Sequence, residues 1–188
     1  LEGIEQDQVT REQRSRAKAV NFGIIYGQGA FGLARGLGIT RAEAAKFIDE
    51  YKERYPGITG FMETCVSEAE KNGFVTTMLG RRRPISEIHS NNRNLRALGE
   101  RLAINTVVQG SAADMIKQAM VNLHERIDRE ELDMRLLIQV HDELVLDAPL
   151  EKVEEYSEVV RQEMAGAIEL AVPVKVDVAW GKNWLESK

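Results

Sequence analysis

Two apolar runs separated by a short polar stretch place the strongest constraint on how this chain folds. Residues 136–140 are LLIQV and residues 144–146 are LVL, with His141, Asp142 and one glutamate between them. Apolar runs of this length around a polar pair predict an antiparallel β-hairpin over residues 134–148, with its tight turn at or near His141-Asp142. Charged residues between buried strands are costly unless they face water or have a function. The turn is therefore also a candidate site.

Capping boxes and helix breakers divide the first two thirds of the chain into helices. TREQ at 10–13 and TRAE at 40–43 are typical of helix starts. Pro56 and Gly73 are expected to end helices. The predicted helices span about 10–27, 40–55, 58–72 and 92–127.

Shorter elements complete the prediction and set the fold class. FVTTML at 74–79 predicts a short strand, and GRRRP at 80–84 predicts a turn. An acidic amphipathic pattern predicts a helix over 150–170, and alternating valines predict a strand over 173–180. A mostly helical first part, followed by a small antiparallel sheet with flanking helices, gives an α+β fold.

Composition excludes several classes of protein. The chain has 188 residues and a net charge of −5, and no apolar run approaches the roughly 20 residues of a membrane helix. No signal peptide is expected from its first residues. Cys65 is the only cysteine, which excludes an internal disulfide and a cysteine zinc site and favours a reducing, cytoplasmic setting. A first residue of Leu rather than Met indicates a piece of a longer protein.

The net charge argues against a general nucleic-acid binder, but the charges are unevenly distributed. Residues 71–101 contain seven Lys/Arg and two Glu, whereas residues 125–188 contain eight Lys/Arg and sixteen Asp/Glu. The first segment could bind an anion while the second maintains solubility, or both could be solvated surface. Arg81, Arg82 and Arg83 leave a similar choice, since they could bind the phosphates of a nucleic acid or instead cap helices or pair with carboxylates.

Two cations and two aromatic residues follow one another at four-residue intervals in the first predicted helix. Arg14, Lys18, Phe22 and Tyr26 span about 18 Å at 1.5 Å per residue, and residues four apart share a helix face. An extended nucleoside triphosphate matches this order, because cations bind phosphates and aromatic rings stack on a base or sugar. The glycine after each aromatic would keep the neighbouring surface open. The alternative is an ordinary amphipathic helix with both aromatics in the core and both cations in solvent.

The predicted hairpin turn offers a ligand for a metal ion. Asp142 could project from it as a hard oxygen ligand for Mg²⁺, whereas Glu143, next in the strand, should point elsewhere. Phosphoryl transfer with two metal ions needs carboxylates from at least two places, and Asp114, Asp147 and Asp177 do not lie in a comparable context. Two interpretations remain. Either the chain holds half of such a site, or His-Asp is simply a favourable turn dipeptide.

Together these motifs resemble the C-terminal part of bacterial family A DNA polymerases, the DNA polymerase I family. The helix motif Arg14 to Gly27, QGSAAD at 109–114 and QVHDE at 139–143 occur in the order of that family, with GRRRP between the first two. The resemblance covers nearly the whole chain. It implies that residues 1–90 form a fingers subdomain and residues 91–188 part of a palm.

The resemblance implies roles for individual side chains. Arg14 and Lys18 would hold the incoming dNTP, and Lys18 would also give a proton to the leaving pyrophosphate. Phe22 would pack on the sugar and base, as in family members that disfavour dideoxynucleotides, and Tyr26 would lie beside the templating base. The residues implied to contact primer–template DNA are Arg101, Asn105, Gln109 and His141. Those implied in metal binding and catalysis are Asp142 as a metal ligand and Glu143 as an auxiliary acid.

The implied activity is DNA-directed DNA synthesis in replication and repair, with dNTP and primer–template DNA as partners and two Mg²⁺ ions as cofactors. The family's first catalytic aspartate lies in an Asp-Tyr-Ser motif, which this sequence lacks, so the isolated chain is expected to be inactive. No membrane partner is expected, and surface left exposed without the upstream parts could form a dimer. The alternatives are a non-catalytic nucleotide- or nucleic-acid-binding module and a structural α+β domain with accidental motifs.

Three further residues of reactive type carry no motif. His89 and His124 are expected at the surface. Cys65 lies in an apolar helix face and is expected in the core.

Overall fold

The computed structural model describes residues 5–187 and is mainly helical with two small antiparallel sheets, so the predicted α+β class is confirmed. The helices are α1 (Arg11–Ile25), α2 (Ala30–Leu37), α3 (Arg41–Arg54), α4 (Pro56–Asn72), α5 (Arg93–Arg129) and α6 (Val153–Ala165). The strands are β1 (Phe74–Thr76), β2 (Arg82–Pro84), β3 (Arg135–Val140) and β4 (Glu143–Asp147). Short 3-10 helices span Gln6–Gln8, Ser86–His89 and Leu150–Lys152.

Both predicted capping boxes are present and begin α1 and α3. Gln13 N–H donates to Thr10 Oγ1 at 3.2 Å, and Thr10 N–H donates to Gln13 Oε1 at 2.9 Å. Glu43 N–H donates to Thr40 Oγ1 at 3.2 Å, and Thr40 N–H donates to Glu43 Oε2 at 2.8 Å. Each box satisfies backbone donors that a helix start otherwise leaves unpaired, which is why four residues of sequence predicted both starts.

A glycine in the left-handed region ends α1. Gly27 N–H donates to Ile24 O at 2.9 Å, and Gln28 N–H donates to Gly23 O at 2.8 Å. These two bonds form a Schellman motif, whose central residue takes a positive φ that favours glycine; φ of Gly27 is +73°. The helix therefore ends at Ile25, two residues before the predicted end.

The first three helices share one apolar core. Its buried members are Val20, Ile24, Leu33, Ala34, Ala44 and Tyr51. The Tyr51 hydroxyl also donates to Asn21 Oδ1 at 2.5 Å, which joins α3 to α1. α3 ends before Pro56 and α4 ends before Gly73, as predicted, although α4 begins at Pro56 rather than at residue 58.

The prediction that GRRRP forms a turn is wrong, because residues 82–84 form β2. This strand pairs antiparallel with β1, which is three residues long rather than the predicted 74–79. The turn lies earlier, where Thr77 N–H donates to Arg81 O at 3.0 Å and Gly80 N–H donates to Thr77 O at 2.9 Å. All three side chains of β2 are exposed, so the sequence has no apolar alternation to indicate a strand.

A second core lies beneath this hairpin. It joins α4, β1, the 3-10 turn at Ser86–His89 and the first half of α5. Its buried members are Ala69, Val75, Ile85, Ile88 and Ala103. α5 itself runs from Arg93 to Arg129, close to the predicted 92–127.

The predicted hairpin at residues 134–148 is confirmed. β3 pairs with β4 antiparallel, and the pair Val140↔Glu143 leaves His141-Asp142 as a two-residue turn. A bulge between Leu136 and Ile138 shifts the register. The third core packs against this sheet, and its buried members are Leu123, Met134, Tyr156, Val159 and Val160.

Two predictions for the last part of the chain need correction. The helix predicted over 150–170 is a 3-10 turn at Leu150–Lys152 followed by α6, which ends at Ala165. The strand predicted over 173–180 is wrong, because that segment pairs with no strand among the described residues. Its valines are half-buried and alternate with exposed residues. The pattern therefore predicted correctly which side chains are less exposed, but it does not identify a strand for the segment to pair with.

The chain divides into two compact units between Gln109 and Gly110. The division at residue 90 into fingers and partial palm stays a prediction. Among the described residues, no helix combines the length and apolar character needed to cross a membrane.

Candidate functional site

The exposed face of α1 carries the row that the sequence singled out. Arg14 and Lys18 are exposed, and within residues 5–187 neither has a salt-bridge or hydrogen-bond partner for its side chain. Phe22 is 49% exposed, and its ring stacks on Tyr26 with centroids 6.0 Å apart and an interplanar angle of 12°. The helix instead buries Val20 and Ile24. The alternative of an ordinary amphipathic helix is therefore wrong about Phe22, correct that both cations face solvent, and only partly correct about Tyr26, which is half-buried.

The two glycines beside these aromatics do not leave open surface, as the sequence had led us to expect. A Cβ added at Gly23 would collide with Oε1 of Gln28, and one added at Gly32 would lie 2.8 Å from Cγ and Nε2 of the same side chain. Gln28 thus lies between a glycine of α1 and a glycine of α2. At Gly27 the space is taken by the Arg101 side chain. Sequence reasoning missed both contacts, because glycine spacing does not say which side chain fills the gap.

A second row lies on α5. Arg101 and Asn105 are half-buried and Gln109 is exposed. The Oδ1 atom of Asn105 is buried and, within the described part of the chain, accepts no hydrogen bond. A buried acceptor without a donor costs free energy, and an ordered water is one partner that can offset this cost. The contact at Gly27 places Arg101 against the end of α1.

The turn between β3 and β4 is strained and exposed. His141 has φ of +55°, in the left-handed region that residues other than glycine seldom occupy. Gln139 Nε2 donates to the His141 carbonyl at 2.8 Å, which helps to hold this conformation. His141, Asp142 and Glu143 are all exposed. Backbone strain of this kind recurs at functional sites.

The described residues do not form a complete metal site. No group of three or more His, Cys, Asp or Glu between residues 5 and 187 is arranged to hold an ion. Asp142 offers an exposed carboxylate at the turn, which is the hard oxygen donor that Mg²⁺ prefers. It fits as one ligand of such an ion and not as a whole site.

Arg82 and Arg83 contact other side chains of the fold. The Arg82 guanidinium lies 4.9 Å from the centroid of the Phe74 ring, and Arg83 donates to Thr106 Oγ1 at 3.1 Å. The alternative to DNA binding was that these arginines cap helix ends or pair with carboxylates, and neither the Phe74 ring nor Thr106 Oγ1 is such a partner. Their contact with template phosphates stays a prediction.

The remaining reactive residues lie where the sequence placed them. Cys65 is buried, and burial raises the pKa of its thiol to about 11. His89 and His124 are exposed, and His124 lies 3.7 Å from Asp128 on the same helix.

Comparison with known proteins identifies relatives over nearly the whole chain. Residues 1–186 match the model of the family described as DNA polymerase family A. The chain is 53% identical over 187 residues to DNA polymerase I of Lactococcus lactis subsp. lactis (strain IL1403), a match that covers 99% of this chain and 21% of the relative. It is 50% identical over 185 residues to DNA polymerase I of Bacillus caldotenax, covering 98% of this chain and 21% of the relative.

A solved structure gives the same result. The POL domain of Pol1 from M. smegmatis, in complex with DNA primer-template and dNTP, superposes with a TM-score of 0.93 at 40% identity. The match covers 98% of this chain and 32% of that chain. The chain spans about a fifth of the length of the curated relatives it matches.

Proposed function

The chain belongs to DNA polymerase family A, and we propose that it is the part of a DNA-directed DNA polymerase that binds the incoming dNTP and the primer–template. The observation that carries this proposal is the row along α1, in which two exposed cations with no partner among the described residues lead to a stacked aromatic pair. The relative that was solved with DNA primer-template and dNTP supports the choice of ligands. Replication and repair, and a cytoplasmic location, belong to the same proposal.

In this proposal Arg14 and Lys18 bind the triphosphate. A guanidinium offers a planar fork of donors to phosphate oxygens, and an ammonium adds a point charge. Neither cation is held by an acidic partner within the described residues, so neither must break an ion pair to bind. Phe22 packs on the sugar and base, and Tyr26 lies beside the templating base.

The row on α5 contacts the primer–template. Arg101, Asn105 and Gln109 meet the minor groove and backbone, and His141 meets the primer terminus. Minor-groove acceptors are shared by all base pairs, so this row checks the geometry of the pair without selecting a sequence.

The reaction is nucleotidyl transfer. The primer 3′-hydroxyl releases its proton to solvent and its oxygen bonds to the α-phosphorus, while the bond from that phosphorus to the bridging oxygen breaks and Lys18 Nζ gives a proton to the departing pyrophosphate. Two Mg²⁺ ions, when bound, stabilise the attacking and leaving oxygens. Asp142 supplies one carboxylate ligand, and Glu143 acts as an auxiliary acid. Because the sequence lacks Asp-Tyr-Ser, the isolated 188-residue chain does not extend a primer by itself.

Nucleotide binding can be tested with three alanine variants of α1. We expect Arg14→Ala and Lys18→Ala each to weaken dNTP binding by at least about tenfold, since each removes a charge-assisted bond. Arg16→Ala is the matched control, because two residues correspond to about 200° around a helix and Arg16 is also exposed. Equal affinities for all three variants, measured by titration, would contradict the proposal.

Catalysis can be tested in the full-length polymerase that carries this segment. We expect Asp142→Ala to abolish primer extension, whereas Asp147→Ala, an exposed aspartate at the far end of β4, leaves it unchanged. Retention of activity in Asp142→Ala would favour the non-catalytic binding module.

The isolated chain allows two further tests. Primer extension by it would refute its proposed inactivity, and sedimentation would test the expected dimer.

A further inference from the structure

We propose that Gly27 is a positioning residue that couples the nucleotide-binding face of α1 to the DNA-binding row of α5. The inference rests on the proposed function, which assigns the two faces their ligands. It concerns a residue that carries no functional group, and its basis is the contact between Gly27 and Arg101.

The contact is closer than any other residue would permit. A Cβ on Gly27 would lie 2.9 Å from Cγ of Arg101, 3.7 Å from its Cδ and 3.9 Å from its Cα. The Arg101 stem therefore packs directly on the glycine backbone. Gly27 lies one residue after Tyr26, at the end of the face that holds the aromatic pair.

The charged end of Arg101 remains available for a ligand. Within residues 5–187, its guanidinium has no salt-bridge or hydrogen-bond partner, although the residue is half-buried. The glycine thus fixes the stem, while the cation has no partner in the part of the chain that the structure describes. A side chain at Gly27 would displace the stem, and the cation at its end would move with it.

A displacement of Arg101, or of the end of α1, would change the binding of both ligands. A shift of Arg101 moves a residue of the row that includes Asn105, while a shift of the α1 terminus moves Tyr26. Closely packed elements transmit such shifts because their contacts do not deform continuously. Binding of dNTP and binding of primer–template are therefore linked through this contact.

The chain provides a matched control for the backbone part of the effect. Gly38 ends α2 with φ of +68°, close to the +73° of Gly27, but a Cβ there would meet no atom within 4 Å. Gly38→Ala therefore carries the left-handed strain without the collision. The difference between the two alanine variants isolates the contact with Arg101.

The experiment measures affinities for dNTP and for a primer–template duplex in the full-length polymerase. We expect Gly27→Ala to weaken both by about tenfold, equivalent to about 1.4 kcal/mol, and Gly38→Ala to weaken them by less than about twofold. In an Arg101→Ala background, Gly27→Ala should add no more than Gly38→Ala does. Equal effects of the two glycine variants, or additive effects of Gly27→Ala and Arg101→Ala, would overturn the inference.

Two further outcomes have defined meanings. If Gly27→Ala does not fold, the double variant with Arg101→Ala must recover the folded state, and a double variant that stays unfolded overturns the inference. If the unmodified polymerase binds neither ligand, the proposed function fails instead. A purely structural role would lower melting temperature without producing the non-additive affinities.

Discussion

Replacement of Gly99 by alanine should destabilise the chain, although the same change usually stabilises a helix. Gly99 is buried in α5, two residues before Arg101. A Cβ there would lie 2.7 Å from the backbone nitrogen of Ile88 and 2.9 Å from the carbonyl carbon of Glu87. These atoms belong to the 3-10 turn at Ser86–His89 and cannot rotate away as a side chain can. The glycine is what allows this turn to lie against α5.

The change in the free energy of unfolding follows from two opposing contributions, helix propensity and overpacking. Alanine is better than glycine in a helix interior by about 1 kcal/mol. Overpacking of a rigid contact costs about 1–3 kcal/mol, so the net change is a loss of about 1 kcal/mol. The matched control is Gly60→Ala in α4, where a Cβ would meet nothing within 4 Å and the helix propensity should yield a gain of about 0.5–1 kcal/mol.

Urea unfolding of the 188-residue chain, followed by far-ultraviolet circular dichroism, measures both variants. With a slope of about 2 kcal/mol per molar urea, Gly99→Ala should lower the midpoint by about 0.5 M and Gly60→Ala should raise it by somewhat less. The prediction is that the midpoints of the two variants shift in opposite directions. A midpoint that rises in Gly99→Ala as it does in Gly60→Ala would show that α5 and the turn separate easily and would refute the predicted collision.

Three smaller perturbations test other contacts of the fold. Thr40→Ala removes the acceptor for Glu43 N–H and should cost about 1 kcal/mol in urea unfolding, whereas Thr40→Ser should retain most of the stability; equal losses would exclude the cap. Tyr156→Phe removes the hydroxyl that accepts from Asp133 N–H at 3.1 Å and should cost about 1 kcal/mol, a figure that an unchanged midpoint would contradict. Burial raises the pKa of Cys65 to about 11, above the unfolded thiol pKa of about 8.5. The stability that this shift contributes is fully present below pH of about 8.5 and is lost as the pH rises to about 11. The unfolding midpoint of Cys65→Ala should therefore fall less over that range than the midpoint of the unmodified chain, and parallel declines would refute this.

Local chemistry explains which parts of the fold were predictable. A capping box is a contact between residues three apart, so TREQ and TRAE contain all the information needed to begin α1 and α3. Proline and glycine punctuation likewise acts within a few residues, as at Pro56. The His141-Asp142 turn was predictable because the two apolar runs around it fix each other's register.

Non-local pairing explains what could not be predicted. β2 consists of exposed residues, and its identity as a strand depends on β1 six residues earlier. The segment at 173–180 has the alternation of a strand without a strand partner among the described residues. The contact of Gly27 with Arg101 joins residues far apart in the chain. In each case the decisive partner is fixed by the tertiary fold, which no local pattern contains.

The exposure of Phe22 is the point at which fold and function meet on α1. Val20 and Ile24 are four residues apart and buried, and they lie roughly opposite Lys18 and Phe22 at 100° per residue. Two buried positions anchor the helix, so the aromatic rings are not needed for the core. Half-exposed Phe22 forgoes part of the stabilisation that burial would provide, about 25 cal/mol per Å² of apolar surface. A half-exposed ring that stacks on Tyr26, beside two cations with no partner among the described residues, is what a face that binds a flat, anionic ligand requires.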